Sequence, residues 1–224
     1  MVLKFDLHVH SCHSHDGYDS VDKILVRAKE IGLDGIAITD HDTIQGGLVG
    51  VQIAKKLDID LIVIPGEEIS TTKGHLIVLG VTDEIPPGMS PEITINMAKD
   101  LGGTVIVPHP FHPFRHELGY VPEDIDAVET YNSRFIIGYS NRKARKLSLS
   151  RNLPMVAGSD AHIADMVGCA ITKIDSAPSV NKILQAIKAG DTQIEGKRTP
   201  LRLFAKQTLK SNFRHIRRFL SEQP

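Results

Sequence analysis

Tryptophan is missing from the 224 residues, and cysteine occurs only at Cys12 and Cys169. Two cysteines without CxxC spacing exclude both a disulfide scaffold and a thiolate zinc site, and they fit a reducing compartment. No apolar run approaches the roughly 20 residues of a membrane span, so no span is expected. The chain starts with Met1 and runs straight into Phe5-Asp6-Leu7-His8, without the hydrophobic segment of a signal peptide. A cytoplasmic location is the expectation. Internal repeats are lacking, and so is a linker that would divide the chain into two halves.

The remaining composition is that of one sizeable globular domain, 41% hydrophobic and 24% charged. A net charge of -1 conceals an asymmetry. Residues 197–219 carry eight Lys or Arg and no acid, which leaves 18 basic against 26 acidic residues in 1–196. The expected division is therefore an acidic domain over 1–196 and a basic C-terminal helix over 197–224, packed on the domain. Histidine is abundant: eleven in all, eight of them between positions 8 and 112.

Apolar runs alternate with helical patterns, which predicts an α/β layout with parallel strands. Strands are expected at 4–7, 35–39, 60–65, 76–80, 104–107, 127–130, 155–157 and 168–172. Helices are expected at 20–31, 44–57, 91–101, 136–150, 179–189 and about 201–220. Asp19 or Ser20 caps the first helix and Gly32 stops it. Gly46, Gly47 and Gly50 are poor helix formers, and their presence at 44–57 predicts close packing of that helix on a strand.

Six of these runs end in metal-compatible side chains. His8, His10, His13, His15 and Asp16 follow the first, and Asp40-His41 the second. Glu67-Glu68 follow the third. His109 comes after 104–107, Glu129, Tyr131 and Asn132 after 127–128, and Asp160 and His162 after 155–157. In a parallel barrel all such ends share one face, where loops build the active site. Histidine and carboxylate without thiolate suit Zn, Mn or Fe. Seven or more donors are too many for one tetrahedral ion, so two or three ions are expected. Asp6 and Asp40 are candidates to orient ligand imidazoles.

These segments resemble the polymerase and histidinol phosphatase (PHP) family of metal-dependent phosphoesterases. The matching stretches are Asp6-Leu7-His8-Val9-His10-Ser11 with Asp16-Gly17, Ile38-Thr39-Asp40-His41-Asp42-Thr43, Pro65-Gly66-Glu67-Glu68, Val107-Pro108-His109-Pro110, Glu129-Thr130-Tyr131-Asn132 and Gly158-Ser159-Asp160-Ala161-His162. The resemblance implies a distorted (β/α)7 barrel similar to a TIM barrel, with its metal centre at the C-terminal ends of the strands. It implies His8, His10, Asp16, His41, Glu68, His109, Asp160 and His162 as metal ligands. The Gly-x-Glu pattern selects Glu68 over Glu67 as the bridging carboxylate. His15, His75 and Glu129 are further candidates for metal or substrate. Asp160, Arg115 and His162 are the candidate catalytic groups, with Arg115 and Arg134 on the substrate phosphate. The family chemistry would be attack of a metal-generated hydroxide on a phosphate monoester, with a nucleotide or another small phosphorylated metabolite as substrate. The 40 residues between Glu68 and His109 leave no room for the helical insertion of nucleotide-hydrolysing relatives.

Phe111, His112, Phe114 and His116 accompany Arg115 in one polar and aromatic loop, where a phenyl ring could stack on a base. In the tail, Leu209, Phe213, Ile216 and Leu220 follow one helix face, with basic residues around the rest. Such a helix docks on the acidic domain, or contacts a short nucleic acid. The sequence thus leaves three alternatives beside the phosphatase: a nuclease on short RNA or DNA, a histidinol phosphatase, and a non-catalytic metal-binding regulatory protein.

Overall fold

The computed structural model describes residues 1–112, 117–135 and 138–221, with the backbone alone over 212–221. Among these residues, nine strands form one sheet. They are β1 (Val2–Val9), β2 (Gly35–His41), β3 (Ile62–Ser70), β4 (His75–Leu79), β5 (Thr104–Val107), β6 (Ala127–Asn132), β7 (Met155–Gly158), β8 (Ala170–Asp175) and β9 (Thr192–Gly196). Their order is β7-β6-β5-β4-β3-β2-β1-β8-β9. The sheet curls into a nearly closed barrel. Its seam is bridged where Thr172 Oγ1 on β8 bonds both Ala157 N and Ala157 O on β7, at 2.9 Å each.

The helices are α1 (Val21–Glu30), α2 (Gln45–Lys56), α3 (Pro91–Asp100), α4 (Tyr139–Ser150), α5 (Val180–Ala189) and α6 (Leu201–Ser221). Each lies within a few residues of its expected place. Ser20 stands at the N-cap of α1 but makes no side-chain cap bond. Asp19 is drawn away instead, onto Lys23, Lys210 and the Ala164 amide. The α2 glycines do allow close approach: a Cβ on Gly47 would meet Pro65 Cα at 2.7 Å, and one on Gly50 would meet Ile38 Cδ1 at 2.9 Å.

Two departures from an all-parallel sheet matter. β4 runs antiparallel to both β3 and β5, and β8 runs antiparallel to β1 and β9. A short turn at 71–74 suffices for the β3–β4 hairpin, whereas a parallel return needs a crossover of a dozen residues or more. β9 was not foreseen. It is a short, largely exposed edge strand without an apolar run.

Inside the barrel, Leu3, Phe5 and Leu7 meet Ala37, Ile64, Ile77, Ile106 and Val156, and α5 docks Ile183, Leu184 and Ile187 on the same cluster. Burying such side chains stabilises by roughly 1.5–3 kcal/mol each before entropy is counted. Outside, α1 and α2 cover Ile36, Ile38 and Val63.

Candidate metal centre

Strand alternation and two bulges decide which side chains enter the barrel mouth. On β1, Leu3, Phe5 and Leu7 point inward, so His8 should point out. The register with β2 slips between Asp6 and Val9, where three steps on β1 span two on β2. The extra residue flips the face: His8 and His10 turn inward, and Val9 joins the outer cluster. A second slip, between Glu129 and Tyr131 against β7, brings Asn132 to the same side as Glu129. On β3 plain alternation from Ile62 and Ile64 places Glu68 inside. Glu67 falls outside, where it accepts the Ile85 amide at 2.9 Å. His75 opens β4, opposite Ser70, and because β4 is antiparallel its start lies at the end where β3 finishes.

The result is a buried cluster around Glu68. Its Oε1 lies 3.0 Å from His75 Nδ1 and 2.9 Å from His109 Nε2. Its Oε2 lies 3.1 Å from His8 Nε2, 3.2 Å from His10 Nε2 and 3.7 Å from His41 Nε2. Asp160 Oδ1 is 3.6 Å from His10 Nε2, and the His162 ring lies tilted against His10 with centroids 4.4 Å apart. Asp16 Oδ2 reaches His162 Nε2 at 2.6 Å. His15 is exposed and touches His41 through its ring, with centroids 5.0 Å apart. His109 and Asp160 both sit at positive φ, 28° and 52°. Such backbone is uncommon for non-glycine residues and gathers at functional sites.

Electrostatics follow from this packing. Burial alone would raise the Glu68 pKa, but His41, His8 and His75 outweigh it and hold the carboxyl well below its ordinary value. Burial also pulls His41 down to about 4, and His162, with Arg134 beside it, down to about 3. Both rings are therefore neutral at pH 7 and offer lone pairs. His8 gives its Nδ1 to Glu129 Oε1 at 3.0 Å, which leaves Nε2 facing the cluster. Two imidazole nitrogens, His8 Nε2 and His10 Nε2, lie only 3.1 Å apart beside one carboxylate oxygen. Imidazole nitrogens and carboxylate oxygens gathered this closely, without sulfur, are a donor set that fits divalent ions. Four sets of three donors that could each hold an ion occur among the described residues: His10, His41 and His162; His8, His10 and Asp160; His8, Glu68 and His109; and His41, Glu68 and His75.

Several expectations shift. Among the described residues Asp6 and Asp40 bond no imidazole: Asp6 takes the Ser159 and Gly168 amides, and Asp40 takes the Ser11 amide and hydroxyl. Both brace backbone, and Glu129 is the group that orients His8. Arg134 reaches the cluster, with Nη1 3.3 Å from Asp160 Oδ1 and in contact with His162. Arg115, Phe114 and His116 lie outside the described residues. Phe111 packs on the core beneath Lys143, whose Nζ is 4.1 Å from the ring centroid, and His112 stacks on Phe135. Asn132 does more than end a strand. Its Nδ2 donates to Glu129 Oε2 at 3.0 Å and to Asp160 Oδ2 at 3.1 Å. The start of α6 also belongs to this wall. Phe204 lies under the Arg134 guanidinium at 5.8 Å, and Thr199 Oγ1 bonds Ser133 Oγ at 2.6 Å.

A nearly closed α/β barrel with histidines and carboxylates gathered at its mouth defines the class of metal-dependent phosphoesterases built on PHP-like barrels. Comparison with known proteins agrees: a family model described as PHP-associated matches residues 138–192. The chain belongs to the polymerase and histidinol phosphatase family. An uncharacterised protein of Methanocaldococcus jannaschii is 38% identical over 154 residues, covering 63% of this chain and 89% of that one. A phosphoribosyl 1,2-cyclic phosphate 1,2-diphosphodiesterase of Eggerthella lenta is 34% identical over 87 residues, 36% of this chain and 32% of that protein. Among solved structures, a two-domain protein of Bacteroides vulgatus containing a PHP-like metal-dependent phosphoesterase superposes with a TM-score of 0.74 at 21% identity. That match covers 88% of this chain and 65% of the other, so the chain spans just under two thirds of that structure. No helix among the described residues is long and apolar enough to cross a membrane.

Proposed function

We propose that the chain hydrolyses phosphate monoesters of small metabolites, nucleotides foremost, using two or three divalent ions (Zn, Mn or Fe) held by His8, His10, Asp16, His41, Glu68, His109, Asp160 and His162, with His75 as a further ligand. The observation that carries this reading is the division of Glu68. One oxygen faces His75 and His109, the other His8 and His10, so a single carboxylate stands between two donor sets. Bound ions supply Lewis acidity, lowering the pKa of water and neutralising phosphate charge.

The protein's own groups do the rest. Glu129 fixes the His8 tautomer through Nδ1, so that Nε2 keeps its lone pair for the centre. In this reading Asp160 Oδ1 accepts a proton from the attacking water, and neutral His162 lines the same corner. Arg134, held against Asp160, presents a guanidinium to the phosphate oxygens, and Arg115 is assigned the same task from sequence. His15 remains at the rim, where it can touch substrate.

The test supplies Mn or Zn to the purified protein and surveys phosphomonoesters, nucleotides and short RNAs. Monoesters should turn over, and Asp160→Asn should slow them by about a hundredfold or more. Unchanged turnover in Asp160→Asn would overturn the mechanism. Cleavage of RNA that lacks a free terminal phosphate would move the assignment to a nuclease.

A further inference from the structure

We propose that the flank of the barrel carries a second anion site, separate from the histidine cluster, for a small ligand bearing two or more phosphate groups. A cavity of about 320 Å³ lies between α1, the 165–169 segment, the β8–β9 edge and the start of α6. Lys4, Arg27, Lys197 and Arg202 line it, together with Asp165 and Glu195. None of these belongs to the metal centre.

The two acids do not neutralise the four cations. Lys206 holds Asp165 at 2.5 Å, and Lys173 holds Glu195 at 2.6 Å, so both are already engaged. Lys4, Lys197 and Arg202 make no ion pair among the described residues, and Arg27 has only Glu30, 3.8 Å away on its own exposed helix face. Arg27 Nε is moreover buried without a hydrogen-bond partner. A buried donor without a partner favours an acceptor brought to it. The fields of Lys197 and Arg27 converge on the cavity wall: both act to lower the Cys169 thiol, which burial and Asp6 push up.

This charge is also out of place. Residues 1–196 are acidic overall, with 18 basic against 26 acidic residues, yet Lys4 and Arg27 from that part meet Lys197 and Arg202 here. Four cations around one small cavity repel one another, and a single phosphate brings at most about two charges. A diphosphate or larger group matches the set, gripped by the arginine forks and the lysine point charges. A compact, half-open cavity of this size suits a small molecule better than the long groove that tracks a nucleic-acid backbone.

The experiment measures binding of inorganic pyrophosphate to the full-length chain by calorimetry, with and without Mn. One molecule should bind per chain without Mn. Arg27→Gln/Lys197→Gln should weaken that binding by about tenfold or more, and Asp160→Asn should leave it unchanged. Because Arg27 contributes to α1, the exposed Lys197→Gln alone serves as a second variant and should weaken binding by a smaller factor. ATP binding as tightly as pyrophosphate marks a site that reads phosphates only, and tighter ATP binding marks one that also reads the nucleoside; both support the proposal. Binding that survives in both variants, or that disappears only in Asp160→Asn, would overturn it, as would no binding of either anion. A short single-stranded RNA without terminal phosphates that displaces pyrophosphate would replace the small ligand with a strand. None of these outcomes depends on hydrolysis at the metal centre.

Discussion

Removing the Asn132 side chain should cost stability chiefly when the metal centre is empty. Asn132 is buried, and its amide holds two carboxylates, Glu129 at 3.0 Å and Asp160 at 3.1 Å. Its own oxygen takes the Arg134 amide at 3.0 Å. A hydrogen bond to a charged group contributes roughly 1.5–3 kcal/mol. Glu129 Oε2 keeps the His109 amide and Asp160 keeps Arg134, so the low end of that range applies to each. Asn132→Ala should therefore destabilise the chelator-treated protein by about 3 kcal/mol. Asn132→Asp should do at least as much, since it adds a third carboxylate to two that already crowd one another. Divalent ions offset that crowding, so saturating Mn should recover a large part of the loss in both variants. Urea unfolding in chelator and in Mn, at constant m-value, measures both effects. A loss below about 0.5 kcal/mol, or one that Mn leaves untouched, would refute the reasoning that this amide tunes a cluster of charges.

Other outcomes follow from single contacts. A Cβ on Gly158 would lie 2.4 Å from His8 Cβ and 2.7 Å from Glu129 Oε1, so Gly158→Ala should cost about 1–3 kcal/mol and lower Mn affinity, as titration of the variant would show. Phe204→Ala removes the ring beneath Arg134, worth about 1 kcal/mol, and should raise KM for a phosphomonoester about fivefold with kcat little changed. The Asp19 carboxyl, raised by burial alone, is held below its ordinary pKa by Lys210, Lys23 and the Ala164 amide. A depressed folded pKa gives stability that is present above the unfolded value and lost as pH falls through the folded one. The gap between the parent and Asp19→Asn should thus be roughly 1 kcal/mol at pH 7 and close below about pH 4, read from urea midpoints across that range.

Much of the centre was legible because parallel strands end on one face, so His8, His41, Glu68, His109 and Asp160 could be grouped from apolar runs alone. The choice of Glu68 over Glu67 has a simple cause in alternation along β3. What stayed hidden depends on irregularities that leave no local mark. The slip after Asp6 and the one after Glu129 reverse the faces of β1 and β6, and nothing in either segment announces a bulge. His75 was ambiguous because its place depends on β4 running backwards, a property of the 71–74 turn rather than of the histidine. β9 escaped because an exposed edge strand needs no apolar run. The bond from Thr199 to Ser133 joins segments 66 residues apart, beyond what any periodic pattern records.

The central claim is that Glu68 stands between two ions. Metal content after equilibration with Mn or Zn and desalting tests it directly, by elemental analysis of the parent and of Glu68→Gln, an isosteric change. The account expects two or three ions per chain in the parent and a loss of at least two in the variant, with the fold retained. Glu68→Gln that still held the parent's full complement would contradict it.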